Sequence, residues 1–195
     1  MLARKLHRLV GSAQTLAIAF PLHFRFESAA AYAVRLISER FPSPDASTTV
    51  KVDVVGISMG GLIARLAAMP RAGEPHLRIA RLFTLGTPHR GAKVAHIIRP
   101  DPTVRDMRPG SAFLQQLDEA LPRAEYELTC YARLGDSWVG ARNTAPPGHD
   151  PIWTRGPRLM SHVTISSDAL IITDIARRIR NEPPLAVRAS PPPRD

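Results

Sequence analysis

Cysteine is nearly absent from this chain, and long apolar runs are absent altogether. Cys130 is the single thiol among 195 residues, so no disulfide can form within the chain, and cysteine usage leaves the compartment open. No stretch reaches the roughly 18 consecutive apolar residues of a membrane-spanning helix. Aromatic residues make up only 6%. The basic residues, nearly all arginine, are scattered rather than gathered into a stripe. That pairing argues against a nucleic-acid surface, which interleaves clustered cations with aromatics. Lys and Arg outnumber Asp and Glu by 26 to 17, a formal net charge of +9. We read this as a solvated basic surface, with loose attraction to an anionic membrane as the lesser reading. The 44% of hydrophobic residues suffices for one domain with a core of its own.

The amino terminus, MLARKLHRLVGSAQTLAIAF, places basic residues before apolar ones, as a signal peptide does. Gly11, Ser12, Gln14 and Thr15 interrupt the apolar part, however. Leu2, Leu6, Leu9 and Val10 share one helical face, so we expect a helix followed by a short strand at 16–20. That reading favours the cytoplasm over secretion.

Further on, apolar runs at strand length alternate with amphipathic segments. Ser28 is placed to cap a helix through Arg40, and strands are expected near 50–55, 78–86 and 126–135. Ser111 is placed to cap a helix ending at Leu121, and Asp168 one spanning 169–180, where Asp174 reads as a surface charge. This alternation predicts an α/β fold in three layers, a mostly parallel sheet covered by helices on both faces. The domain is expected to span 1–182, with a proline-rich, disordered tail at 183–195.

The chemical signal sits in VDVVGISMGGLIARLAAM (52–69). A β-branched run breaks at Gly56, and a helical pattern begins directly after Ser58. Gly56-Ile57-Ser58-Met59-Gly60 fits the G-x-S-x-G turn, which lifts a serine hydroxyl clear of a sheet. Glycines two before and two after are expected where strand and helix approach. The Met59 amide, at the positive end of the helix, points toward the same space and suits an oxyanion. A serine needs a base, and the base an orienting acid. Where a G-x-S-x-G turn carries the serine, the order along the chain is serine, acid, histidine, which leaves His76, His89, His96, His149 and His162. His162, in LMSHVTISSDAL just before the final helix, is the candidate base. Asp136, at the carboxyl end of the 126–135 strand, is the candidate acid, and Asp150 in the GHDP loop is its alternative.

VVGISMGGLIAR together with LFTLGTPHRGA (82–92) resembles the α/β-hydrolase lipases and esterases, especially the bacterial triacylglycerol lipase-like and GPI inositol-deacylase-like members. DMRPGSAFLQQL resembles their segment after that turn. The resemblance runs from about residue 16 to residue 179. It implies a cofactor-independent, metal-free serine hydrolase cleaving carboxylic esters of lipid-like substrates through an acyl-enzyme. Ser58 would be the nucleophile, Asp136 the acid and His162 the base, with His89 and Arg90 shaping the site wall. Two departures stand out. Ile57 occupies a position where these families usually carry histidine. Nothing before Ser58 matches their H-G loop, which donates the second oxyanion amide, so the expectation is a hydrolase lacking its first strands. The same residues also fit a non-catalytic remnant or binding module, or an acyltransferase on the same triad. Oligomeric state is not readable here. Finally, 44 residues separate the GTPHRG turn from Asp136. Part of 92–121, with Phe113, Leu114 and Leu117 on one helical side, either covers Ser58 as an acyl-binding lid or packs as an ordinary helix on the sheet.

Overall fold

Short runs rich in β-branched and aromatic residues become the strands: β1 (Val52–Ile57), β2 (Ile79–Leu85), β3 (Glu127–Arg133) and β4 (Ile152–Thr154). They lie side by side in that order, and every pairing is parallel. Parallel neighbours need crossovers, and the connections from β1 to β2 and from β2 to β3 carry helices. This computed structural model describes residues 2–11, 14–20, 25–96, 102–157, 160–185 and 189–193. Its helices are α1 (Leu2–Val10), α2 (Phe26–Arg40), α3 (Met59–Ala67), α4 (Pro102–Asp106), α5 (Ala112–Ala120), α6 (Ser161–Thr164) and α7 (Ala169–Ile179).

Strand β2 shows why the layers number three. Successive side chains on a strand point to opposite faces. Leu82 joins a cluster with Phe26, Val34, Leu62, Leu66 and Leu117, drawn from α2, α3 and α5. Its neighbour Phe83 joins Leu6, Tyr131, Ile172 and Ile175, a cluster built with α1 and α7. Both faces of the sheet are thus covered, which is why its strands are largely apolar along their buried middles. The α/β/α architecture expected from the alternating pattern is the one found. None of the helices among the described residues is long and apolar enough to cross a membrane.

Three local expectations need correction. Helix α2 begins at Phe26 behind Arg25, with no side-chain cap, so Ser28 lies inside its first turn. The reason is packing: Phe26 is buried and stacks on Phe113 at 4.3 Å. Residues 16–20 form no strand; Leu16, Ile18 and Phe20 instead pack their side chains against the α2–α3 cluster. Asp174 is not a surface charge but is buried, accepting from Tyr131 Oη at 2.6 Å and Arg178 Nε at 2.8 Å. A carboxylate removed from water requires such donors. Hydrogen bonds reach the described part of the 183–195 segment. Trp153 Nε1 donates to Ser190 Oγ at 3.1 Å, and the Leu185 amide donates to Asp174. The caps at Ser111 and Asp168 are in place, accepting from Leu114 N–H and from Leu170 and Ile171 N–H.

Candidate active site

The site grows from the carboxyl ends of the strands, where an open parallel sheet handles ligands. The ladder continues one residue past β1, with Ser58 N–H donating to the Leu85 carbonyl at 2.8 Å. Ser58 then takes φ 51° and ψ −126°, and α3 starts at the next residue. A non-glycine residue in that region stores about 1–3 kcal/mol of strain. Strand and helix come so close that a β-carbon on Gly56 would stand 2.6 Å from Gly61 Cα and N. One on Gly61 would meet Thr87 Oγ1 at 2.3 Å, whereas Gly60 faces open space. The close approach therefore demands Gly56 and Gly61, not the Gly60 of the five-residue pattern. Thr87 Oγ1 also donates to the Ser58 carbonyl at 2.8 Å, tying this turn to the one after β2.

Asp136 follows β3 and is buried. Its Oδ1 accepts the backbone N–H groups of Trp138 and Val139, both at 3.0 Å. Its Oδ2 lies 2.9 Å from His162 Nδ1, and His162 Nε2 lies 3.1 Å from Ser58 Oγ. An ionised carboxylate only accepts, so Nδ1 carries the proton and Nε2 presents its lone pair to the serine hydroxyl. The end of β3 also grips α6, the helix that carries His162. Arg133 Nη1 donates to Thr164 Oγ1 at 2.5 Å, and Ser161 Oγ donates to the Leu134 carbonyl at 2.8 Å. Asp136 and His162 are thereby held to one support. Among the other candidates, Asp150 and His149 are exposed in the loop before β4. His76 lies before β2, in a bridge with Thr48, and the side chain of His96 is outside the described residues.

The expected wall and groove residues are arranged differently. His89 is fully buried, and its ring is a cross-brace rather than a wall. Arg65 Nη1 reaches His89 Nδ1 at 3.0 Å, while Arg65 Nη2 donates to the Leu117 carbonyl at 2.7 Å and to Asp118 Oδ1 at 3.1 Å. Guanidinium only donates, so Nδ1 accepts and Nε2–H donates to Thr84 Oγ1 at 3.1 Å. Arg90 is engaged elsewhere, donating to the carbonyls of Pro146 and His149. Phe113, Leu114 and Leu117 are buried in the α2–α3 cluster, so α5 packs as a sheet-covering helix. Residues 97–101 of the expected lid lie outside the described residues. Ile57 stands beside Ser58 and is 40% exposed.

Two neighbours of the site were invisible in the sequence reading. Trp138 stacks on His162, with ring centroids 5.1 Å apart and planes inclined by 20°. Arg65 was overlooked because it sits on an otherwise apolar helical face; a charge on a buried face was the available signal. Burial also pushes the Cys130 thiol up to about 11, so it stays protonated and inert.

The buried brace makes a pH prediction. Burial foremost, then the Arg65 charge, holds His89 well below its ordinary value of 6.5, so it is neutral in the fold. The unfolded chain takes up that proton first as pH falls. Its contribution is therefore fully present above the ordinary value of 6.5 and is lost below it, at up to about 1.4 kcal/mol per pH unit. Urea unfolding between pH 8 and pH 5 should show that slope, and His89→Gln should flatten it while lowering stability at pH 8. An unchanged slope in the variant would remove His89 from the account.

A parallel sheet with its serine, imidazole and carboxylate at one edge is the architecture of an α/β-hydrolase. Residues 26–99 match the family model described as the PGAP1-like alpha/beta domain. A lipase of Bacillus licheniformis in its mature form superposes with a TM-score of 0.52 at 16% identity, over 75% of this chain and 72% of that one. The same lipase in its propeptide form gives 0.58 at 14% identity, over 89% of this chain and 44% of that one. The chain thus spans less than half the length of the propeptide form. No curated protein matches the sequence. The fold is that of the lipase-like α/β-hydrolases.

Proposed function

We propose that the protein is a serine hydrolase cleaving carboxylic esters, with lipid-like substrates. The observation that carries this is the hydrogen-bonded chain Ser58–His162–Asp136, at 3.1 and 2.9 Å. As Ser58 Oγ attacks the ester carbonyl, His162 Nε2 takes the hydroxyl proton, and Asp136 holds the ring in the required tautomer. The same imidazole then protonates the departing alcohol, leaving an acyl-serine. Water, deprotonated by His162, releases the acid and restores the hydroxyl. The Met59 N–H, at the start of α3, is the proposed donor to the carbonyl oxygen as it gains charge.

The apolar rim supports a lipid-like acyl group. Ile57, Trp138, Met160 and Val163 are 40%, 48%, 50% and 54% exposed. Each stands within two residues of Ser58, Asp136 or His162. Exposed apolar side chains so close in the chain to the proposed triad are suited to an apolar ligand. The name of the Bacillus lipase is in keeping with this reading.

A fluorophosphonate probe tests the proposal. It should label the folded protein and leave Ser58→Ala unlabelled. Labelling that is absent from a folded preparation, or unchanged in Ser58→Ala, would refute the reaction and favour a binding module on the same fold.

A further inference from the structure

We propose that Trp138 is a positioning residue for His162, a role that rests on the reaction proposed above. Two independent contacts place it there. Its backbone N–H donates to Asp136 Oδ1 at 3.0 Å, and its indole lies over the His162 ring at 5.1 Å. One residue thus touches the acid through its main chain and the base through its side chain. A large apolar ring that is 48% exposed gains little from burial in the core, so core packing does not explain its position. His162, beneath it, keeps only 9% of its side-chain surface open.

The stack does two things. It covers the imidazole beside its bond to Asp136, and bonds shielded from water hold their geometry better. It also offers the π face of an indole to a ring that becomes positively charged when it accepts the serine proton. A cation over an aromatic face is favoured, most strongly for tryptophan. Because the imidazolium exists only after proton transfer, this benefit falls on the transition state more than on the bound ester, and hence on kcat more than on KM. Gly86 borders the same pair: a β-carbon there would lie in ordinary contact with His162 Nδ1 at 3.4 Å and Asp136 Oδ2 at 3.6 Å.

The test compares Trp138→Leu with Trp138→Phe. Both keep an apolar rim for substrate, but only phenylalanine keeps a π face. With a short-chain p-nitrophenyl ester, the leucine variant should lose kcat by roughly three- to thirty-fold at nearly constant KM. The phenylalanine variant should recover most of that loss. A second readout needs no turnover: the low-field proton NMR signal of the His162 Nδ1–H···Asp136 bond. It should broaden through faster solvent exchange in the leucine variant and stay sharp in the phenylalanine variant. Wild-type kcat together with a sharp signal in Trp138→Leu would overturn the proposal. So would a loss confined to KM, which would make Trp138 a substrate contact. If the wild type turns over no ester yet the NMR contrast appears, the reaction fails while the positioning stands. Circular dichroism of both variants guards against misfolding, and a misfolded leucine variant beside a native phenylalanine one would itself overturn a role limited to the site.

Discussion

Asp136→Asn is expected to lower ester turnover about 10⁴-fold while leaving the fold intact. The size of the effect follows from the two backbone N–H groups, of Trp138 and Val139, that converge on Oδ1. They require an acceptor, so an asparagine would put its carbonyl oxygen there and turn its NH₂ toward His162. An NH₂ group donates, which forces His162 Nδ1 to accept and moves the ring proton to Nε2. Nε2 could then no longer take the Ser58 proton. Asp150→Asn, altering an exposed loop residue, should leave most of the activity. Steady-state hydrolysis of a p-nitrophenyl ester by both variants decides the matter. The opposite ranking would assign the acid to the wrong loop.

Gly56→Ala is expected to destabilise the protein by about 3 kcal/mol or more, because its β-carbon would collide with backbone that has no rotamer to change. Those backbone atoms are Gly61 Cα and N at 2.6 Å and Gly60 C at 2.8 Å. Relief would have to come from moving α3 off β1, which would also displace Ser58 from His162. Gly60→Ala makes the contrast. That position faces open space inside α3, and alanine there should be neutral or stabilising by up to about 1 kcal/mol. Urea unfolding of the two variants reads the difference directly. Equal losses would mean that the turn is held by something other than this close approach.

The three residues that the fold brings into one hydrogen-bonded chain each carry a local mark in the sequence. Ser58 has its glycines and a strand before it, Asp136 sits where a strand stops, and His162 precedes the last helix in the chain order this chemistry uses. The residues that the sequence leaves undecided share a different character. Phe113, Leu114 and Leu117 show an apolar helical face, and such a face looks the same whether it meets an acyl chain or a core. Only their contacts with Phe26 and the α2–α3 cluster decide it. His89 lies in a turn motif that suggested a wall, yet Arg65, 24 residues earlier, draws its ring inward. Trp138 passed unnoticed because its partner His162 is 24 positions away and no short pattern links them.

Periodicity and punctuation were enough to specify β1, β2 and β3 with the helices between them, the covering of the sheet on both faces, the sharp turn at Ser58 and the caps at Ser111 and Asp168, whereas the three-residue β4 is too short to leave a period. These are properties of neighbouring residues, governed by backbone sterics and by which face of an element is apolar. Folding alone decided which ionisable groups leave water and which partners they find there. Asp174 is buried because Tyr131, 43 residues away, offers a hydroxyl, and Arg65 because a carbonyl 52 residues on accepts from it. A charge survives in a core only when donors or acceptors arrive from elsewhere in the chain, and their arrival is a matter of three-dimensional distance.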